Sequence, residues 1–216
     1  ELPQRFTTEE EAQTFLESLS GANFTVSNVT TSPGVRNPGA PFTTSTLQQE
    51  ANSKLGFGSR ATMSSAQKLY QEGKITYMRT DSTTLSGQAI AAAADYIKSR
   101  YGEEYSQVRQ FKTKSSSAQE AHEAIRPTDM SAEKGSSNDY DQKLYDLIRR
   151  RTLASQMAPA IYNTISATIN ANNYNFKANG QSIKFKGFMT LYVEETDSKE
   201  QEEKMLPELK EKQEVK

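Results

Sequence analysis

The sequence contains no cysteine and a single histidine. That excludes disulfides, a thiol nucleophile, and cysteine-built or histidine-rich metal sites, and it leaves the redox compartment open. Apolar residues are sparse: at 34% hydrophobic and a mean hydropathy of −0.78, much of the chain belongs at a surface or in a cleft. No apolar run approaches the roughly 20 residues that span a bilayer, so no membrane partner is expected. The start Glu1-Leu2-Pro3 has neither an initiator methionine nor a signal-peptide pattern, and reads as a soluble piece of something longer. Charge of one sign is missing too. A formal net charge of −1 and a pI near 6.0 give no overall pull toward nucleic acid, so such binding must come from local basic clusters. There is no internal repeat. What is present is 216 residues, enough for one large domain or two modest ones with a real core.

From Phe6 onward, Thr7-Thr8-Glu9-Glu10-Glu11-Ala12 predicts a helix start, with a threonine cap and acids in the first turn. Ala12, Phe15, Leu16 and Leu19 give that helix an apolar face. Phe24, Val26 and Val29 alternate as a short strand, and Pro33, Gly34, Pro38, Gly39 and Pro41 predict a loop and a boundary. From Thr43 to Met157 the character is helical: a segment through Leu55, then Ser64–Glu72, Gly87–Arg100 and Asp139–Ser155. Near the end of the last, Arg149-Arg150-Arg151 reads as a solvated face or a track for a DNA backbone. After Pro159 the period shortens: Ile161, Ile165, Ala167 and Ile169, then Tyr174 and Phe176, with Asn179-Gly180 as the predicted hairpin turn before Ile183 and Phe185. Glu194 to Lys216 is dense in Glu and Lys and reads as a solvated edge or outgoing linker. The expected fold is α+β, a helical domain (43–157) inserted into a β-rich one formed by 1–42 and 158–216.

Chemistry concentrates in Lys74-Ile75-Thr76-Tyr77-Met78-Arg79-Thr80-Asp81-Ser82, after a helix that Gly73 is placed to stop. If these residues are extended, Tyr77, Arg79 and Asp81 share one face while Thr76 and Met78 point the other way. A phenol, with a reference pKa of about 10, is a poor nucleophile, and a nearby guanidinium favours the phenolate and neutralises phosphate. Spacing alone equally fits a half-buried strand tyrosine beside an ordinary Arg–Asp pair.

The residues themselves go further. Ile75 to Ser82 closely resembles the active-site signature of bacterial type IA DNA topoisomerases. Upstream, Pro41 to Ala51 followed by Leu55-Gly56-Phe57 and Thr62-Met63 is similar to the helices preceding that family's tyrosine, and Ala121-His122-Glu123-Ala124-Ile125-Arg126-Pro127-Thr128-Asp129 is similar to its histidine motif. The three motifs stand in the family's order. The resemblance implies that Tyr77 attacks single-stranded DNA to form a 5′-phosphotyrosyl link, that Arg79 holds the scissile phosphate, and that negatively supercoiled duplex is relaxed without ATP, in a bacterial cytoplasm beside the nucleoid.

The resemblance also implies a DNA or phosphate contact for His122, which on a helical turn shares a face with Arg126. Thr76, Ser45 and Gln48 are further DNA-binding candidates, although Thr43 to Thr46 equally suits a helix cap. Asp81 suits a DNA contact, a partner for Arg79 or Tyr77, or a cap for the helix after it. The β-rich part would be the family's arch. Magnesium in that family is bound by an acidic Toprim domain, and no Asp-x-Asp signature after an apolar strand occurs here; no metal ligand is assigned, the Toprim and neighbouring domains are expected as partners, and the chain alone is expected to be inactive. Two other readings compete: a non-catalytic DNA-binding or gate module in which Tyr77 stacks on a base, and a tyrosine recombinase or type IB enzyme. In the latter a His-x-x-Arg motif precedes the tyrosine, whereas His122 and Arg126 follow Tyr77 with a different spacing.

Overall fold

The computed structural model describes residues 6–111, 123–193 and 209–215. It is α+β, as expected, with helices α1 (Glu9–Leu19), α2 (Thr44–Leu55), α3 (Ser59–Gln71), α4 (Gly87–Tyr101) and α5 (Asp139–Ser155), and strands β1 (Phe24–Arg36), β2 (Ala160–Ala171), β3 (Tyr174–Phe185) and β4 (Glu214–Val215). The chain divides into two units. One holds Glu1–Val35, Ile161–Lys184 and Lys199–Lys216; the other holds Arg36–Ala160 and Phe185–Ser198.

The first unit is built on a sheet of order β3-β2-β1-β4. Thr8 caps α1 by accepting from the Glu11 N–H at 3.2 Å, yet α1 buries no residue, and Leu16 is 65% exposed. Its Phe15 instead meets Phe6 and the β3 residue Tyr174, the latter edge-on at 4.9 Å. Two expectations need correction. Strand β1 continues through Pro33 and Gly34: the chain leading into β4 bonds its edge only as far as Val26, through Gln213 and Lys212, no strand among the described residues pairs that edge further on, and an unpaired edge tolerates a proline with no N–H. A Cβ on Gly34 would lie 2.5 Å from the Tyr162 ring, so glycine here makes room for a cross-strand aromatic. The hairpin turn falls at Asn172-Asn173 rather than Asn179-Gly180. Asn172 adopts φ +52, which asparagine tolerates, and its amide donates to the Ser18 carbonyl at 2.7 Å.

The second unit owns the hydrophobic core: Leu47 and Ala51 of α2, Ala66 and Leu69 of α3, Ala93 and Ile97 of α4, and Leu144, Ile148 and Leu153 of α5. The caps explain the helix starts. Thr43 and Thr46 form a capping box at α2, Ser86 caps α4, and Asn138 accepts from the N–H groups of Tyr140 and Asp141 at α5. Helix α3 begins at Ser59, five residues before the expected start, since its first turn carries no side-chain cap to mark it. Residues from Phe185 return to this unit, because Phe188 and Tyr192 are buried in its core. The basic run of α5 is neither a solvated face nor a track: Arg149 is buried, donating to the Met130 carbonyl at 3.1 Å and lying over the Tyr96 ring, and Arg151 donates to the Ala40 carbonyl at 2.7 Å. Only Arg150 is exposed.

Candidate active site

Helix α3 stops where its backbone changes hand. Gly73 has φ +68, its N–H bonds the Tyr70 carbonyl at 2.9 Å, and the Lys74 N–H returns to the Leu69 carbonyl at 2.8 Å. This closes the helix and releases the chain in an extended direction.

The released segment is held from both sides. On one, Ile75 bridges Pro127, the Thr76 N–H donates to the Arg126 carbonyl at 2.9 Å, and the Thr128 N–H donates to the Lys74 carbonyl at 3.0 Å. The Thr76 hydroxyl completes that seam, donating to the Ala124 carbonyl at 2.7 Å and accepting from the Arg126 N–H at 3.0 Å. On the other side stands Thr44, the first residue of α2. Its N–H donates to the Thr80 carbonyl at 2.9 Å, its hydroxyl donates to the Met78 carbonyl at 2.7 Å, and the same oxygen accepts from the Thr80 N–H at 2.9 Å. Two threonine hydroxyls thus take the place of missing strand neighbours.

Side chains alternate along this segment. Ile75, Met78 and Leu85 are buried in the core, with Thr80 and Ser82 also inward, while Tyr77, Arg79 and Asp81 face outward. Tyr77 is 43% exposed. Its ring meets that of Tyr70, on the last turn of α3, with centroids 5.2 Å apart and planes at 66°. Among the described residues its hydroxyl makes no hydrogen bond, and Arg79 and Asp81 pair neither with it nor with each other. The suggested role of Asp81 in orienting Arg79 or Tyr77 is therefore corrected, as is its role as a cap, which Ser86 fills.

The other candidates separate. Residues 123–127 are extended, not a helical turn, since Ile125 bridges Phe42 and Pro127 bridges Ile75. Arg126 is engaged within the chain: its Nη2 and Nε donate to Glu123 Oε2 at 2.6 and 3.2 Å, and its Nη1 to the Pro127 carbonyl at 3.0 Å. His122 lies outside the described residues. Ser45 is exposed in the first turn of α2, 3.3 Å from the Thr43 hydroxyl, and Gln48 is half-buried on the same helix. Thr76 serves the seam.

Three residues escaped the sequence reading. Thr44 is the brace and Tyr70 the aromatic neighbour. Glu123 accepts from the Ser86 N–H at 2.6 Å, placing a carboxylate at the N-terminus of α4, where the helix dipole favours it. Burial pushes the Glu123 carboxyl upward, but hydrogen bonds from Arg126 and from the Ser86 side chain and backbone outweigh it and hold the group below its ordinary value. Their signals were short-range only: a threonine beside a cap, a glutamate three residues before an arginine.

The arrangement offers an exposed phenol and an exposed guanidinium, the latter without an ion pair among the described residues, two residues apart on a backbone hydrogen-bonded from both sides. No group of three or more His, Asp or Glu among the described residues is placed to hold a metal ion, and no described helix is long and apolar enough to cross a membrane.

A sequence model of the family described as DNA topoisomerase matches residues 1–216. The chain is 47% identical over 211 residues to the DNA topoisomerase 1 of Synechocystis sp., a match covering 94% of this chain and 24% of that protein. It is also similar to the full-length topoisomerase I of Thermotoga maritima, with a TM-score of 0.80 and 33% identity, covering 100% of this chain and 36% of that one. The chain therefore spans about a quarter of the length of the first of these relatives and just over a third of the second.

Proposed function

Because the chain belongs to the DNA topoisomerase family, we propose that it is the tyrosine-bearing part of a type IA enzyme, in which Tyr77 cuts and rejoins one strand of DNA. The Tyr77 oxygen attacks the phosphorus of a phosphodiester in single-stranded DNA. A new bond joins that oxygen, which gives up its proton, to the 5′-phosphate as the bond to the 3′ oxygen breaks, and the departing oxygen takes up a proton as a 3′-hydroxyl, so that no net proton is gained or lost. Reversal after strand passage restores the DNA. One phosphodiester replaces another of similar energy, so no ATP is consumed, and release of negative supercoiling drives relaxation.

The observation that carries this reading is the outward presentation of Tyr77 on a segment stitched from both sides. A fixed backbone supplies the near-attack placement that transesterification needs. Arg79, exposed and without an ion pair among the described residues, supplies a planar permanent charge for the phosphate. Ser45, Gln48 and His122 are proposed to contact DNA nearby, while Arg126 and Thr76 act through the fold. Magnesium would supply charge neutralisation from carboxylates of a Toprim domain elsewhere in the longer polypeptide; no cluster of acidic or histidine side chains among the described residues fits it. The setting would be the bacterial cytoplasm.

The test is covalent capture of labelled single-stranded DNA by the complete enzyme. Tyr77→Phe is expected to abolish the phosphotyrosyl adduct and leave DNA binding intact. An adduct that persists in this variant overturns the assignment, and an intact enzyme with no adduct at all favours a module in which Tyr77 stacks on a base. The chain alone is expected to relax no DNA, which a relaxation assay with magnesium checks directly.

A further inference from the structure

We propose that Tyr70 is a positioning residue for Tyr77, holding the nucleophile's ring so that its hydroxyl meets the phosphate; this rests on the reading of Tyr77 as the nucleophile. The backbone on either side of Tyr77 is pinned by the seams to residues 124–128 and to Thr44. The remaining freedom lies in the side-chain torsions, which decide where the phenol oxygen points. No hydrogen bond among the described residues limits them. The ring contact with Tyr70, at 5.2 Å and 66°, does. That edge-on geometry matches the quadrupoles of two aromatic rings, and such pairs favour one arrangement over its alternatives by about two- to tenfold.

Tyr70 is itself well anchored. It stands between Leu69, fully buried in the core, and the left-handed Gly73 stop, to which its carbonyl is bonded. Yet Tyr70 is 40% exposed, so it adds little to the core, and its hydroxyl makes no hydrogen bond among the described residues. A tyrosine with an exposed ring, no polar partner and one specific ring contact is explained by that contact.

The experiment compares Tyr70→Leu and Tyr70→Phe in the complete enzyme by single-turnover adduct formation across DNA concentration. Tyr70→Leu is expected to lower the maximal rate about two- to tenfold with the half-saturating DNA concentration unchanged, whereas Tyr70→Phe keeps the ring and retains the rate. A normal, Tyr77-dependent rate in Tyr70→Leu overturns the positioning role alone. So does a shift confined to half-saturation, which makes Tyr70 a DNA contact, or a loss in Tyr70→Phe equal to that in Tyr70→Leu. An adduct that survives Tyr77→Phe overturns the nucleophile reading, and the positioning role with it.

Discussion

A cation near a proposed phosphate site is useful only if it is not already spent. Arg79 is free of ion pairs among the described residues, whereas Arg126 is bound to Glu123 at 2.6 Å and to the Pro127 carbonyl. Glu123 in turn accepts from the N-terminus of α4, so one carboxylate ties the strand carrying Arg126 to that helix. Its carboxyl is held below the ordinary value of 4.5. A depressed carboxyl stabilises the fold above its unfolded value, and that contribution is lost as pH falls through the folded value. Wild type is therefore expected to exceed Glu123→Gln in stability at neutral pH, with the gap closing as the pH falls below the ordinary carboxyl value of 4.5. Urea denaturation of both across that range checks it; a gap independent of pH contradicts the linkage.

Helix α2 braces the tyrosine segment through its first residue, Thr44. Thr44 gives a donor to Met78 and an acceptor to Thr80 from a single oxygen. Thr44→Val keeps the shape and removes both bonds, stranding the N–H of Thr80, a residue only 9% exposed. The expected cost is about 1–3 kcal/mol, with faster exchange of the Thr80 amide than of other amides in the second unit. Urea denaturation and hydrogen exchange measure it, and a change below about 0.5 kcal/mol means that water replaces the hydroxyl without penalty.

Apolar burial is unequal across the molecule. In the first unit the buried apolar side chains among the described residues are Val26, Ala167 and Ala171, all small, and α1 buries none. The second unit holds the whole hydrophobic cluster, including Leu69, Ile97, Leu144, Ile148 and Leu153. Since stability follows apolar area removed from water, the sheet-bearing unit is expected to exchange its amides faster and to unfold at lower denaturant. Hydrogen exchange resolved by segment decides this, and a single protection level throughout both units contradicts it.

Local chemistry was readable where one residue carries its own reason. The starts of α4 and α5 follow from Ser86 and Asn138, the end of α3 from Gly73, and the outward alternation of Tyr77, Arg79 and Asp81 from strand periodicity. The identity of the segment around Tyr77 was carried by residue order alone. What the sequence could not decide needed partners distant along the chain. Asn-Gly is the stronger turn signal, but strand pairing put the turn at Asn172 and left Gly180 buried inside β3. Three consecutive arginines look alike until packing turns Arg149 and Arg151 to interior carbonyls. The setting of Tyr77 belongs to the same class: Thr44, 33 positions earlier, and Ala124, 47 positions later, fasten its segment, and hydrogen bonds between such separated residues exist only once the fold has brought them together.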